Sequence, residues 1–268
     1  MLTHALVLVA DEPYLPHAKS LLVNCRRQGQ WDGECCLILP PSIDATDFTA
    51  RGIHVLHNAE PKHYRKFAIM DKFFSKWELM LYLDCDTMVQ APLAPLLYEL
   101  EWGTLLADRE PFNIRHAFTH WASEEQLKRP ESIALLDELW SRYDPEAHQF
   151  NTGILLWHPG CMPERGQERL LALRDKLAPV NTHCISGTDQ PIFNLVYQGR
   201  FRQVRSTLFG YWRNVWDQSI VVHTVSFYAP WIKPPTSHQA YMNEKLGRPY
   251  HEVYQENLRL FDETFPRK

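Results

Sequence analysis

Between His4 and Leu83, short runs that are almost wholly apolar alternate with amphipathic stretches, and this alternation restricts the fold more than any other feature of the chain. His4 to Ala10 (HALVLVA) has no polar position after its first residue, the pattern of a parallel strand covered on both faces. Pro13 to Gly29 predicts a helix, because Leu15, Ala18, Leu22 and Cys25 fall at helical spacing and Gly29 supplies a stop. Cys35 to Leu39, halted by Pro40-Pro41, reads as a second strand, and Ile53 to Leu56 as a third. Pro61 to Trp77 carries Phe67, Met70, Phe73 or Phe74, and Trp77 in one apolar stripe and predicts a second helix; Leu79 to Leu83 is then the fourth strand. Strand, helix, strand, strand, helix, strand is the order of an α/β fold, whose ligand site lies outside the carboxyl ends of its strands.

Downstream, Thr104 to Ala107 predicts a strand, Glu131 to Tyr143 a helix, Ile154 to Trp157 a strand and Pro163 to Leu177 a charged helix. Gln190 to Tyr197 reads as a short helix, Ile220 to Val222 as a strand and His238 to Phe261 as a terminal amphipathic helix. Neither a repeat nor a linker interrupts the chain. Its 268 residues, 45% hydrophobic, suffice for one large core, so a single domain is expected. FGYWRNVWD and FYAPWIKPP, both beyond residue 200, predict long aromatic-lined loops.

A balance of 28 basic against 32 acidic residues, net -4, removes the simplest case for a dedicated nucleic-acid binder without excluding a local basic patch. The six cysteines (Cys25, Cys35, Cys36, Cys85, Cys161, Cys184) form no CxxC pair and sit in or beside apolar runs such as ECCLILP. They are expected to be reduced thiols of a cytoplasmic protein. MLTHALVLVADEPYLP has neither a charged leader nor an apolar run long enough for a signal core or a membrane span, so none is expected.

In LMLYLDCDTMVQ the fourth strand runs directly into Asp84 and Asp86. Unpaired carboxylates cannot stay in an apolar core, so something at that strand end must favour negative charge. Alternation along an extended backbone would set Asp84 and Asp86 on one side and Cys85 on the other. Hard oxygen ligands so placed suit Mg²⁺ or Mn²⁺ bridging to a phosphate. A D-x-D alone is equally the signature of a turn or a helix cap, and both readings stand on these residues.

The wider run KFAIMDKFFSKWELMLYLDCDTMVQAPL, with Lys66 ahead of the strand and a proline-rich helix start behind the carboxylates, resembles the nucleotide-sugar site of the retaining glycosyltransferases of family 8. That family includes glycogenin and bacterial lipopolysaccharide galactosyltransferases. Further matches follow in the family's order. FNTGILLW (Phe150 to Trp157) resembles its F-N-x-G strand, and TDQPIFN (Thr188 to Asn194) its D-Q-x-x-x-N segment. VVHTVSFYAPW (Val221 to Trp231) resembles its closing H-x-x-G-x-x-K-P-W element, and HALVLVADEPYLPHAKSLL its first strand and nucleotide loop.

The resemblance implies a GT-A fold, a Rossmann-like mixed and mainly parallel sheet flanked by helices. Its nucleotide-binding half would be about residues 1–107 and its acceptor and closing half about 108–268. It implies Mn²⁺ (or Mg²⁺) held by Asp84, Asp86 and His223 against the diphosphate of a UDP-sugar. Ala10, Asp11 and Tyr14 would hold uracil and ribose; Lys66, Cys85, Thr152 and Gly153 would complete the donor site. Asn151 and Asp108 would touch the donor sugar. Asp189 would bind sugar hydroxyls and Gln190 would lie near the anomeric carbon, the two steadying an oxocarbenium-like sugar as a hexose passes to an acceptor hydroxyl with retention.

The chain departs from this pattern where Ser226 and Ala229 replace the closing Gly and the Lys that grips the diphosphate. Lys233, the arginines of GRFRQVR and Arg213 are all candidates for that grip. The interval from Asp108 to Phe150 is long, and its His116, Phe118, His120 and Trp121 leave open an acceptor-side lid or a packed excursion. The acceptor stays open between a glycan, a protein and a nucleic-acid base, because GRFRQVRSTLFGYWRN interleaves arginines with aromatics as a base-stacking surface would. Two other readings remain. Nucleotidyl transfer on a related fold would want a glycine-rich loop that VLVADEPYLP lacks, and a non-catalytic sugar- or partner-binding domain would use the aromatic loops.

Overall fold

The structure is a computed structural model that describes residues 3–119, 123–161, 164–184, 189–204, 209–210, 219–224, 244 and 249–268. Its strands are β1 (His4–Val9), β2 (Glu34–Leu39), β3 (His54–His57), β4 (Leu79–Leu83), β5 (Thr87–Val89), β6 (Leu105–Asn113), β7 (His148–Trp157), β8 (Phe201–Gln203), β9 (Phe209–Gly210) and β10 (Val221–His223). Seven form one sheet in the order β3-β2-β1-β4-β7-β6-β8, and β5-β10-β9 form a small second sheet. β1 pairs in parallel with β2 and β4, whereas β7 runs antiparallel to both β4 and β6. The result is the single-domain, mixed and mostly parallel α/β sheet that the sequence predicts.

The all-apolar first run is explained by two cores. Leu6 and Leu8 of β1 face one, with Leu21 and Leu22 of α1 (Leu15–Arg27) and the C-terminal Phe261 and Phe265. Ala5 and Val7 face the other, with Phe67, Tyr82, Phe150 and Phe193. A strand with burial on both sides has no place for polar alternation. The remaining helices are α2 (Thr46–Ala50), α3 (Ala94–Leu97), α4 (Ile114–Thr119), α5 (Glu124–Leu127), α6 (Pro130–Trp140), α7 (Gly166–Cys184), α8 (Gln190–Val196), α9 (Tyr250–Arg259) and α10 (Phe261–Thr264). Among the described residues no helix is long and apolar enough to cross a membrane, and Cys25, Cys35, Cys36 and Cys85 are free thiols.

The Pro61 to Trp77 helix is not α-helical. It is two 3₁₀ segments, Lys62–Met70 and Lys72–Lys76, broken at an extended Asp71 whose carboxylate accepts from Phe73 N. The apolar pairs Phe67 and Met70, and Phe74 and Trp77, are three residues apart, the spacing that a 3₁₀ turn eclipses, and all four are buried. β6 and β7 both run further than their apolar stretches suggest. Polar residues continue each strand into the site rather than ending it. The interval after Asp108 folds as the rest of β6 and α4 to α6, with Ile114, Phe118 and Leu139 in the second core. His120 and Trp121 lie outside the described residues. Of the predicted His238 to Phe261 helix, α9 and the first residue of α10 are described, and residues 238–243 and 245–248 lie outside.

Candidate active site

Asp84 directly follows β4, and its backbone N–H donates to Gly153 O of β7 at 2.7 Å. The backbone then turns instead of staying extended: Thr87 N and Oγ1 both bond back to Asp84 O, at 3.0 and 2.8 Å. The strand alternation expected for Asp84-Cys85-Asp86 is therefore replaced by a turn. Both carboxylates still share one side, while Cys85 Sγ points away and donates to Val9 O at 3.3 Å. β10 pairs antiparallel with β5, placing His223 opposite Thr87, and Thr224 N closes the ladder on Asp86 O at 3.0 Å.

This pairing carries His223 Nε2 to 3.1 Å from Asp86 Oδ1 and 3.6 Å from Asp84 Oδ2. One ligand atom from each of the three residues lies within 4.8 Å of the others. Two carboxylates and an imidazole are a donor set that fits a hard divalent cation. Gly153 makes room for the imidazole, since a Cβ there would lie 2.2 Å from His223 Cε1. Burial opposes charge on both Asp86 and His223, yet each outweighs it for the other. The Asp86 carboxyl sits below its ordinary pKa and the His223 imidazole above its own.

Asn151 fixes which imidazole nitrogen faces the carboxylates. Its Oδ1 accepts from Gly153 N at 2.8 Å and lies 3.0 Å from His223 Nδ1, so Nδ1 carries a hydrogen and Nε2 points at Asp84 and Asp86.

Beside this cluster a buried polar network spans the 3₁₀ segment, β4, β6, β7 and α8. Lys66 Nζ lies 3.0 Å from Asp84 Oδ1 and 3.0 Å from Asp189 Oδ2. Burial disfavours its charge, but the two carboxylates more than offset this and raise its pKa above the ordinary value. Tyr82 hydroxyl donates to Asp84 Oδ1 as well. Asp189 precedes α8 but its side chain does not cap it; the residue is buried and its carboxylate accepts from Thr152 Oγ1 at 2.8 Å. Gln190 Oε1 accepts from Thr152 N at 3.2 Å and from Asn151 Nδ2 at 3.3 Å. Asn194 clips α8 to β7, with Oδ1 accepting from Phe150 N and Nδ2 donating to Phe150 O.

Asp84, Asp86, Asn151, Thr152, Gly153, Asp189, Gln190, His223 and Lys66 are thus brought together from distant parts of the chain. Asp108 is buried on β6. Ala10 is buried just past β1, and Asp11 Oδ1 is a buried oxygen with no hydrogen-bond partner among the described residues. Tyr14 is exposed and its ring meets that of His17 edge-on; its hydroxyl pKa is raised by burial first and then by the charges of Asp86 and Asp11. Lys233, Arg205 and Arg213 lie outside the described residues. Arg202 is engaged elsewhere, with Glu101 and with Glu99 O at 3.1 Å, and Phe201 packs on Phe150. Sequence reasoning missed Glu110. It is 5% exposed on β6 and accepts from Asn151 Nδ2 and from Gln190 Nε2, each at 3.2 Å. The i, i+2 spacing of Asp108 and Glu110 was the available signal, hidden because charges and Pro111 suggest a strand end.

This sheet order, with a metal-competent cluster at the carboxyl end of β4, defines the GT-A fold of glycosyltransferases. No family model matches the chain, and no curated protein matches it by sequence. Solved structures do match in fold. The glycosyltransferase GlyE of Streptococcus pneumoniae superposes with a TM-score of 0.61 at 17% identity, over 100% of this chain and 66% of that one. The galactosyltransferase LgtC, in complex with donor and acceptor sugar analogues, gives 0.60 at 14%, over 94% and 95%. Mouse xyloside xylosyltransferase 1 gives 0.54 at 12%, over 85% and 99%. At these identities the likeness is one of fold.

Proposed function

We propose that the chain is a metal-dependent glycosyltransferase that moves a hexose from a UDP-sugar to an acceptor hydroxyl, with retention of anomeric configuration. The observation that carries this reading is the convergence of Asp86 and His223, 137 residues apart, on one ligand cluster bordered by the buried Asn151, Asp189 and Gln190. Asp84, Asp86 and His223 would hold a divalent cation, which would supply Lewis-acid neutralisation of charge on the leaving UDP. Asn151 holds His223 in the tautomer that presents Nε2. Lys66 bridges Asp84 and Asp189 and holds both in place. Ala10, Asp11 and Tyr14 receive the nucleoside, with the orphaned Asp11 oxygen free to accept from a ribose hydroxyl. Cys85, Thr152 and Gly153 line the donor site, Asp108 and Asp189 accept sugar hydroxyls, and Gln190 lies near the anomeric carbon. Lys233, Arg205 or Arg213 would stand in for the missing diphosphate lysine. Residues 1–107 supply most of the nucleotide side and 108–268 the sugar and acceptor side.

The test is a panel of UDP-sugars scored by Mn²⁺-dependent thermal stabilisation and by hydrolysis. Asp84→Asn and Asp86→Asn are expected to abolish the Mn²⁺-dependent part of both readouts, and donor turnover that survives both substitutions refutes the reading. The anomeric proton signal of the transferred sugar, followed by NMR, distinguishes retention from inversion.

A further inference from the structure

We propose that Glu110 is a positioning residue that sets the orientation of the Gln190 side-chain amide and polarises it. This inference rests on the reading of Gln190 as the group facing the donor sugar. An ionised carboxylate only accepts hydrogen bonds and a backbone N–H only donates. Gln190 must therefore turn its NH₂ to Glu110 and its carbonyl to Thr152 N, where the carbonyl also accepts from Asn151 Nδ2, and the 3.2–3.3 Å contacts on both sides match that single arrangement. Asn194 fixes the other end by donating to Gln190 O at 2.9 Å, so the residue is held from backbone to amide.

Glu110 reaches this position by strand alternation: Asp108 and Glu110 share the inward face of β6 and Arg109 between them is exposed. The register of β6 against β7 shifts between Ala107 and Arg109 and again between Arg109 and Asn113. A buried carboxylate that accepts from Gln190 Nε2 draws electron density through the amide toward its oxygen, and hydrogen-bond chains in a low-dielectric site polarise one another in this way. The negative charge of Glu110, relayed through the Gln190 amide, is worth more to a sugar that is acquiring positive charge than to the resting donor. The effect belongs in kcat rather than in donor affinity.

The experiment is a double-mutant cycle on the full chain with Glu110→Gln, Glu110→Ala, Gln190→Ala and Glu110→Ala/Gln190→Ala, measured as kcat and KM for UDP-sugar hydrolysis and as Mn²⁺ affinity. Glu110→Gln keeps the volume while removing the charge. It is expected to lower kcat about 10-fold to 100-fold, the size seen when a partner orienting a functional group is lost, with KM and Mn²⁺ affinity within about twofold. In the Gln190→Ala background the further change to Ala at 110 is expected to cost less than about twofold, because the two act as one unit. Fully multiplicative losses, an unchanged kcat, a loss confined to KM, or a parallel fall in Mn²⁺ affinity, which would route the effect through Asn151 and His223, each overturn the proposal. Independently of turnover, the side-chain ¹⁵N–¹H signals of Gln190 are expected to shift and broaden in Glu110→Gln. If no UDP-sugar is turned over by the unmodified protein, the enzymatic reading fails by itself, while unchanged Gln190 signals overturn the contact. A Glu110→Gln chain that does not fold makes the residue a structural one and overturns the proposal too.

Discussion

Gly153 and Lys66 decide the site through opposite means, one by an absent side chain and the other by a buried charge. A Cβ at 153 would stand 2.2 Å from the His223 ring, inside any tolerable contact, so Gly153→Ala must push the imidazole off Asp84 and Asp86. The expected result is Mn²⁺ binding weakened about 10-fold to 100-fold by titration calorimetry, with a smaller change in melting temperature. Lys66→Met should act through charge, because it leaves Asp84 and Asp189 without their common cation. Breaking one partner out of a buried ion pair costs about 3–5 kcal/mol. Thermal unfolding should show a large drop that Mn²⁺ partly restores, since a bound cation replaces the lost charge near Asp84. Lys66 was legible only as a member of a motif; its pairing with two carboxylates from separate elements was not, because sequence spacing carries no information on which strands become neighbours.

At the scale of elements, the strands that build the site are those whose polar ends defied the apolar pattern. β7 reads as Ile154 to Trp157 from its apolar residues, yet pairing begins at His148, and the segment Asn151 to Gly153 that carries function is strand. Pairing with β6 and the bonds to Glu110, Gln190 and Asn194 satisfy those polar groups, so burial does not penalise them. Asn194 is the clasp between two such elements. Asn194→Leu leaves Phe150 N and O in the core without their side-chain partners and should lower unfolding free energy by about 2 kcal/mol in urea titration, while letting α8 and Gln190 shift.

For the whole molecule, the C-terminal helix α9 closes over α1 through His17, whose Nδ1 meets the Tyr254 hydroxyl at 2.8 Å. Burial draws the His17 pKa from 6.5 down to about 4, against the weaker pull of Asp86. A histidine depressed in the folded state contributes stability that is complete above its ordinary pKa and is lost as pH falls toward the folded value. Urea midpoints should therefore decline between pH 6.5 and 4, and His17→Gln should flatten that part of the profile. The alternation of apolar and amphipathic runs, with carboxylates placed where a strand stops, is local information, and through it the sequence alone determined an α/β sheet with a charged site at the end of β4. Which turn Asp84 and Asp86 adopt, that the Pro61 to Trp77 stripe winds as 3₁₀ segments, and that Glu110 closes on Gln190 were decided only by tertiary structure, because each depends on backbone partners brought together from far apart in the chain.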